Sequence, residues 1–194
     1  SPTAPHADRE PAVLMTARFG RQKDPDTLIR AAAVLRDRGQ PVRVRLVGGG
    51  KKYFEWRARW LARRLGVREL VEFMGQRCDV PELLLRSQVF VLSTHFEGLP
   101  LSLIEGMAAG CAVIGSRVPG VAELIEPGRT GWLAEPEDAN SLADAITASL
   151  SPAGASCAAA ARDFARQQFG LDRMTDDYER LLLDLWQKKT PPPA

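Results

Sequence analysis

The residues of this sequence that could do chemistry centre on two glutamates, Glu97 and Glu105, in the stretch HFEGLPLSLIEGMAAG. Seven residues separate them, and neither lysine nor arginine occurs between them. Gly98 and Pro100 give this segment an unusual backbone path, on which a ligand can approach the chain closely. We expect a helix in the second half of the stretch, and the free amide groups at a helix start favour an anion such as phosphate. The segment is therefore a candidate binding site for a phosphorylated ligand.

Glu105 has a second interpretation, because Ser102 and Glu105 match the S-x-x-E pattern of a capping box. In a capping box the two side chains satisfy free amides at the helix start, and no ligand is needed. The sequence leaves both interpretations of Glu105 open. Glu97 lies outside this pattern, next to a glycine, and is the stronger candidate for contact with a ligand.

Two cations lie where the first expected strand ends: Arg18 is its last residue, and Lys23 follows in the next loop. Arginine offers a fork of donors and lysine a point charge, so the two side chains could together neutralise a diphosphate. Ordinary surface charge in contact with water is the alternative for both.

A triple glycine, Gly48 to Gly50, follows the second expected strand and resembles the start of a dinucleotide-binding fingerprint. That fingerprint, G-x-G-x-x-G, would need a third glycine where this sequence has Tyr53. We therefore interpret the glycines as a tight turn beside which a ligand passes.

Short apolar runs alternate with helical patterns, which predicts βαβ units with helices on both faces of a parallel sheet. The expected strands are 13–18, 42–47, 70–75, 88–93, 112–116 and 130–135. The expected helices begin with one capped by Asp24 and continue with 51–65, 80–87, 102–110, 121–126, 138–150, 154–168 and 172–188. The fold class is thus α/β, with a Rossmann-like, doubly wound sheet of about six strands. Such sheets bind ligands beyond the carboxyl ends of their strands, where the candidate residues lie.

Composition excludes several classes of protein. A net charge of +2 over 194 residues is too small to indicate nucleic-acid binding. Three dispersed cysteines argue against a disulfide framework and are interpreted as small core side chains, and two histidines cannot build a metal cage. No apolar run reaches the ~20 residues of a membrane span, and no signal peptide is visible, so we expect a cytoplasmic location.

The polar segment 1–11 is interpreted as a linker or artificial end, and 189–194 as a disordered tail.

The segment 51–68 is unusually basic, with seven Lys or Arg residues against the single Glu55. Trp56 and Trp60 lie beside the arginines on the expected helix. This composition is typical of a helix on a membrane surface, and peripheral contact with the inner face of a membrane stays open. A solvated cationic face with packed tryptophans is the alternative.

Together these segments resemble the C-terminal, nucleotide-sugar-binding domain of retaining glycosyltransferases with the GT-B architecture, the large family-four group. The resemblance extends from about residue 12 to 186, and its most specific element is the E-x7-E motif of Glu97 and Glu105. Around the motif stand ARFGRQKDPDTLIRA, LVGGG, VEFMGQRCDVPELL, VFVLSTHFEG, EGMAAGCAVIGS and GVAELIEPGRTGWL, in the order of the family.

The resemblance implies a role for each candidate residue. Arg18 and Lys23 would grip the diphosphate of the donor and Glu97 would lie beside the transferred sugar, so these three form the expected catalytic set. Glu105 would hold the ribose hydroxyls, and the loop at 76–79 would meet the base. The other implied donor-binding positions are Gly48, Arg77, Cys78, Gly98, Leu99, Pro100, Leu101 and Ser102.

The family also implies an enzyme that uses a nucleoside-diphosphate sugar, with UDP or GDP expected, and that needs neither cofactor nor metal. Leu99-Pro100 resembles the version in capsule, exopolysaccharide and lipopolysaccharide transferases, which indicates a glycan or lipid-linked acceptor. Residues 12–170 would form the donor-binding domain, and 171–188 a helix that crosses to an acceptor-binding N-terminal domain absent from this sequence. We expect the chain to be inactive without that domain. Whether the apolar residues of the last helix are exposed or docked stays open.

Two other functions are compatible with parts of the pattern. A nucleotide-sugar epimerase shares the two-domain plan but lacks the context of the E-x7-E motif. A non-catalytic membrane-docking module would be built on 51–68.

Overall fold

The structure, a computed structural model, describes residues 5–189; the expected linker residues 1–4 and tail residues 190–194 lie outside this range. Its strands are β1 (Glu10–Thr16), β2 (Arg43–Val47), β3 (Val71–Gly75), β4 (Ser87–Leu92), β5 (Ala112–Ser116) and β6 (Trp132–Ala134). They form one parallel sheet in the order β3-β2-β1-β4-β5-β6. The order reverses between β1 and β4, which confirms the doubly wound, Rossmann-like fold.

The α-helices of the described chain cover the two faces of this sheet. They are α1 (Pro25–Asp37), α2 (Lys52–Arg64), α3 (Val80–Arg86), α4 (Leu101–Ala108), α5 (Pro119–Ala122), α6 (Ala139–Ser149), α7 (Pro152–Phe169) and α8 (Leu171–Lys189). Each expected helix is present. Helix α5 begins two residues early, because Pro119 has the backbone angle that suits the first helical position, and it ends at Ala122, four residues before the expected end.

Strand β1 starts earlier than the hydrophobic pattern indicated. Glu10 and Pro11, the last residues of the expected linker, already belong to the sheet, and the Glu10 carboxylate accepts a hydrogen bond from Arg45 of β2 at 2.5 Å. A search for apolar residues overlooks a strand that begins with a charged residue and a proline. The strand also ends at Thr16 and not at Arg18, which places Arg18 in the loop that follows.

Helix α1 begins and ends where local chemistry predicted. The Asp24 side chain accepts a hydrogen bond from the N–H of Thr27 at 3.1 Å, and Pro25 occupies the first helical position. After the helix, Gly39 adopts a φ of +74°, as expected for the residue that stops it.

Helix α4 begins at Leu101, so the capping-box interpretation of Ser102 is wrong. The residue before the helix is Pro100, whose side chain cannot accept a hydrogen bond. Ser102 is the second residue of the helix and does not bond with Glu105. The amides at the start of α4 therefore have no side-chain cap.

The core lies on both faces of the sheet, as the alternating residues of β1 show. Val13 and Met15 pack with α1, α2 and α6, whereas Leu14 packs with α4 and α7. At roughly 25 cal/mol per Å2 of buried apolar surface, these two layers are the main source of stability. They hold the strands in register and so fix where the loops at the carboxyl ends lie.

Helix α8 carries the apolar residues whose placement the sequence left open. Leu181, Leu182, Leu185 and Trp186 are 53%, 64%, 54% and 71% exposed. In this chain they are therefore exposed and not docked. That the helix crosses to another domain stays a prediction.

The turn after β2 packs directly against the loop after β1. Gly48 and Gly50 have φ values of +138° and +158°, in a region that favours glycine. A Cβ at Gly48 would lie 2.0 Å from the carbonyl oxygen of Ala17, and one at Gly50 would lie 2.2 Å from that of Phe19. The N–H of Phe19 donates to the carbonyl of Gly49 at 2.9 Å. The expected tight turn is thus present, and backbone packing between the loops requires its glycines.

We predict that Gly48→Ala lowers the free energy of unfolding by more than about 2 kcal/mol, because the new methyl group strains the backbone and collides with a fixed carbonyl. Urea unfolding measures this change. Gly20→Ala is the matched control: its Cβ would lie 3.9 Å from the nearest atom, and it should cost less than about 1 kcal/mol. Equal stability of the two variants would contradict the packing argument.

Candidate functional site

A cleft of about 1140 Å3 opens at the carboxyl ends of β1, β2 and β3. Three loops line it: β1–α1 contributes Arg18, β2–α2 contributes 48–51, and β3–α3 contributes 76–78. This is the edge of the sheet at which doubly wound folds bind ligands, and β1 borders the point where the strand order reverses.

Arg18 is a free cation of this cleft, which Lys51 also lines. Its side chain is exposed, lines the cleft and forms no hydrogen bond or ion pair with the described residues. All five N–H donors of its guanidinium are therefore available to a ligand. A planar fork of donors suits the oxygens of a phosphate better than those of a neutral group.

The opposite wall of the cleft holds a second arginine that is already engaged. Arg77 donates from Nε to Asp79 Oδ1 at 2.8 Å and from Nη2 to Asp79 Oδ2 at 2.6 Å. This bidentate contact lowers the pKa of the Asp79 carboxyl, so both groups stay charged at neutral pH. Arg77 is consequently less available than Arg18 to bind an anion.

The three cysteines occupy different environments. Cys111 and Cys157 are buried, as expected for small core side chains, whereas Cys78 is exposed and lines the cleft, so the core interpretation is wrong for Cys78. Burial raises the pKa of the Cys111 thiol to about 12, and burial also raises the pKa of Cys157. Neither buried thiol ionises near neutral pH.

Lys23 and Glu97 form an ion pair where the β1–α1 and β4–α4 loops meet. Both side chains are largely buried, 15% and 7% exposed respectively. The Glu97 carboxylate also accepts hydrogen bonds from Thr94 Oγ1 at 2.8 Å and from Gln22 Nε2 at 3.2 Å. Glu97 therefore faces three donors of the protein itself.

Backbone hydrogen bonds join the same two loops. The N–H of Asp24 donates to the carbonyl of Ser93 at 3.0 Å, and the N–H of His95 donates to the carbonyl of Gln22 at 2.9 Å. The Ser93 hydroxyl donates to the Asp24 carbonyl at 2.5 Å. These bonds fix the loops relative to each other and so bring the ion pair together.

The start of α4 presents free backbone donors. The N–H groups of Leu101 and Ser102 have no acceptor among the described residues. Leu99 and Leu101 are exposed side chains, whereas Pro100 is buried and anchors the turn. The carbonyl of Gly98 packs so closely on Gly120 of α5 that a Cβ at Gly120 would lie 1.9 Å from it.

Glu105 is exposed, and its side chain forms no hydrogen bond or ion pair with the described residues. Without a capping box, its carboxylate is free to meet a ligand. It does not belong to the lining of the cleft that contains Arg18.

The structure thus brings the candidate residues together in two neighbouring groups. One group lines the cleft and consists of Arg18, Gly48, Arg77 and Cys78. The other lies along the β4–α4 connection and consists of the Lys23–Glu97 pair, Gly98, Leu99, Pro100, Leu101, Ser102 and Glu105. The β1–α1 loop carries members of both groups. The binding roles of these residues stay predictions.

Sequence reasoning did not identify Gln22 and Thr94 as partners of Glu97. Gln22 lies 75 positions before Glu97, and only the folded loops bring the two together. Thr94 lies three positions before it, at the end of an apolar strand where a hydroxyl is common. The position of both residues in loops at the ligand edge is the signal that could have pointed to them.

Among residues 5–189, no group of three or more His, Cys, Asp or Glu side chains is arranged to hold a metal ion. None of the helices in this range is both long and apolar enough to cross a bilayer.

The two glutamates of the motif should differ in their effect on stability. Glu97→Ala leaves the largely buried Lys23 ammonium without its carboxylate partner and should lower the free energy of unfolding by about 1–3 kcal/mol. Glu105→Gln changes an exposed, unpaired side chain and should alter it by less than about 0.5 kcal/mol. Chemical denaturation of both variants checks this; a larger loss for Glu105→Gln would contradict the assignment.

Known proteins are similar to this chain in sequence and in fold. The sequence matches the family model for glycosyl transferases group 1 over residues 2–164. The putative colanic acid biosynthesis glycosyltransferase WcaL of Escherichia coli is 31% identical over 144 residues, which are 70% of this chain and 35% of that protein. The N,N'-diacetylbacillosaminyl-diphospho-undecaprenol alpha-1,3-N-acetylgalactosaminyltransferase of Campylobacter jejuni is 32% identical over 140 residues, 72% of this chain and 35% of that protein.

A solved structure is similar to this chain in fold. Anabaena HepE in complex with UDP-glucose superimposes with a TM-score of 0.83 at 25% identity, over 90% of this chain and 49% of that one. The chain spans about a third of the length of the curated relatives it matches and about half of this structure. The chain therefore belongs to the glycosyl transferases group 1 family and has the Rossmann-like fold of one half of a GT-B glycosyltransferase.

Proposed function

We propose that this chain is the donor-binding domain of a retaining glycosyltransferase. The domain would bind a nucleoside-diphosphate sugar, with UDP or GDP as the nucleotide. The parent enzyme would transfer the sugar to a glycan or lipid-linked acceptor in cell-surface polysaccharide or lipopolysaccharide synthesis. The observation that carries the proposal is an unpaired arginine in a cleft at the point where the strand order reverses, beside a glycine turn that forms one wall of the cleft.

The diphosphate is the part of the donor that this arrangement suits best. Arg18 supplies a free fork of donors, and the amides of Leu101 and Ser102 add uncapped donors at the positive end of α4. In glycosyl transfer, negative charge grows on the leaving diphosphate. Fixed donors aimed at that charge stabilise the transition state without reorganising, and the proposal therefore needs no metal ion or cofactor.

The Lys23–Glu97 pair would respond to the donor. A diphosphate near Lys23 would compete with Glu97 for the ammonium group, because both ligands are anions. Thr94 and Gln22 would still hold the Glu97 carboxylate in place. A carboxylate in that position would stabilise the positive charge that develops on the sugar ring.

One further residue, Glu105, and one loop, 76–79, would recognise the nucleoside. Glu105 has a free carboxylate, which could accept hydrogen bonds from both ribose hydroxyls. The loop at 76–79 forms the far wall of the cleft, where backbone groups and Cys78 would meet the base.

The relatives support the reaction class. One is named for colanic acid biosynthesis, one for transfer to an undecaprenyl-linked sugar, and a solved neighbour contains UDP-glucose. Because the chain spans about a third of the length of such proteins, we assign the acceptor site to another part of the enzyme and expect the chain alone to bind donor without transferring sugar.

Arg18→Ala should weaken binding of UDP or GDP by about tenfold or more and leave binding of the matching nucleoside unchanged, because only the diphosphate meets the guanidinium. Isothermal titration calorimetry with both nucleotides and both nucleosides measures this difference. Arg21→Ala is the matched control, since Arg21 is exposed on the same loop but does not line the cleft.

Two outcomes would count against the proposal. A wild-type chain that binds no nucleoside diphosphate would contradict the proposed donor site. Equal losses for Arg18→Ala and Arg21→Ala would mean that the loop acts through general charge and not through a specific contact.

Cys78 offers an independent test of the cleft. It should be the thiol that reacts quickly with a maleimide in the folded chain, because Cys111 and Cys157 are buried and their thiols stay protonated. Saturating nucleoside diphosphate should slow the labelling of Cys78, as followed by mass spectrometry. Labelling at the same rate with and without nucleotide would place the ligand outside this cleft.

A further inference from the structure

Helix α2 presents an aromatic face to solvent. Tyr53, Trp56 and Trp60 are 62%, 62% and 45% exposed. Their spacing of three, four and seven residues puts them on one side of the helix, while the opposite side packs into the core. Large aromatic side chains exposed together indicate an interaction surface more often than they indicate ordinary solvent contact.

Unpaired cations border this aromatic face on both sides. Lys52 and Arg63 are exposed on one side and form no ion pair with the described residues. On the other side, the Arg64 guanidinium lies 5.0 Å from the centroid of the Trp60 ring and likewise has no carboxylate partner. We call these six residues, Lys52, Tyr53, Trp56, Trp60, Arg63 and Arg64, the Trp face.

The remaining arginines of the helix are neutralised locally. Arg57 pairs with Asp26 at 2.5 Å, and Arg59 pairs with Glu55 at 2.8 Å. The uncompensated positive charge of α2 is thus concentrated around the exposed aromatic rings. A partner for this surface must be anionic and must also accept indole rings.

Helix α8 provides a contrast within the same chain. It also exposes apolar side chains, but its 19 residues contain five Asp or Glu against four Lys or Arg. The apolar side chains that α8 exposes are therefore not accompanied by an excess of positive charge. The combination of tryptophans and unpaired cations belongs to α2.

We propose that the Trp face docks on the surface of an anionic lipid bilayer, with the axis of α2 parallel to the membrane. Tryptophan and tyrosine rings favour the level of the lipid headgroups, and the flanking cations meet lipid phosphates. A convex, continuous helix face suits a flat lipid surface. None of the six side chains lines the cleft with Arg18, so this contact is separate from the donor site.

Docking would also orient the cleft. Helix α2 begins directly after the turn 48–51 that forms one cleft wall. A bilayer bound along α2 would therefore lie next to the turn that forms this wall.

Vesicle co-sedimentation of the full chain tests the proposal. The chain should bind vesicles of phosphatidylcholine mixed with phosphatidylglycerol and bind pure phosphatidylcholine much more weakly, and added salt should lower the binding. The double variant Trp56→Ser, Trp60→Ser should lose about tenfold or more in affinity for the mixed vesicles. The double variant Lys52→Gln, Arg63→Gln should lose about tenfold as well.

Control variants distinguish this contact from nonspecific adsorption to vesicles. Trp186→Ser changes an exposed tryptophan on α8 and should leave vesicle binding unchanged. All substituted side chains are exposed, so melting curves should coincide with that of the wild type. Equal binding to the two vesicle types would overturn the proposal. Full binding by the tryptophan double variant would also overturn it, because it would indicate adsorption by charge alone. No binding to anionic vesicles would overturn it as well and would leave the face to an acidic protein partner.

Discussion

Parallel pairing of β1 with both β2 and β4 is the constraint on which the rest of this structure depends. The strand order runs in opposite directions from the central strands β1 and β4. Helices therefore cover both faces of the sheet, and the functional loops leave the same edge of it. The buried side chains of β1 lock the pairing by packing into both core layers. The cleft is therefore a consequence of topology, and the loop sequences determine only what it can bind.

Charge is distributed unevenly between the two parts of this edge. In the cleft, Arg18 is unpaired and exposed, whereas Lys23 and Glu97 neutralise each other beside it. The first arrangement can attract an anion from solution, and the second holds a cation and an anion in fixed positions, where each offsets the desolvation cost of the other. On our proposal, a donor sugar nucleotide would separate the pair, so that each charge meets the part of the substrate with the opposite developing sign.

Much of the fold followed from local sequence signals, and the parts that did not follow share a cause. Asp24 with Pro25 and the φ of Gly39 set the limits of α1 through bonds between near neighbours, so a pattern could find them. The start of β1 at Glu10 and the ion pair of Lys23 with Glu97, 74 positions apart, depend on contacts that exist only after the sheet forms. At α4 the sequence contains the capping-box pattern, but the helix begins directly after the buried Pro100, one residue earlier than expected. Ser102 therefore does not cap the helix.

The central claim is that one nucleoside-diphosphate sugar spans the cleft and the start of α4. A titration of the 15N-labelled chain with UDP-glucose and with GDP-mannose, followed by amide NMR shifts, tests it most directly. The account predicts saturable shifts for the amides of Arg18, of 48–50, of 76–79 and of Leu101 and Ser102, all with one dissociation constant. Shifts confined to other surfaces, or different constants for the cleft and for the start of α4, would contradict it.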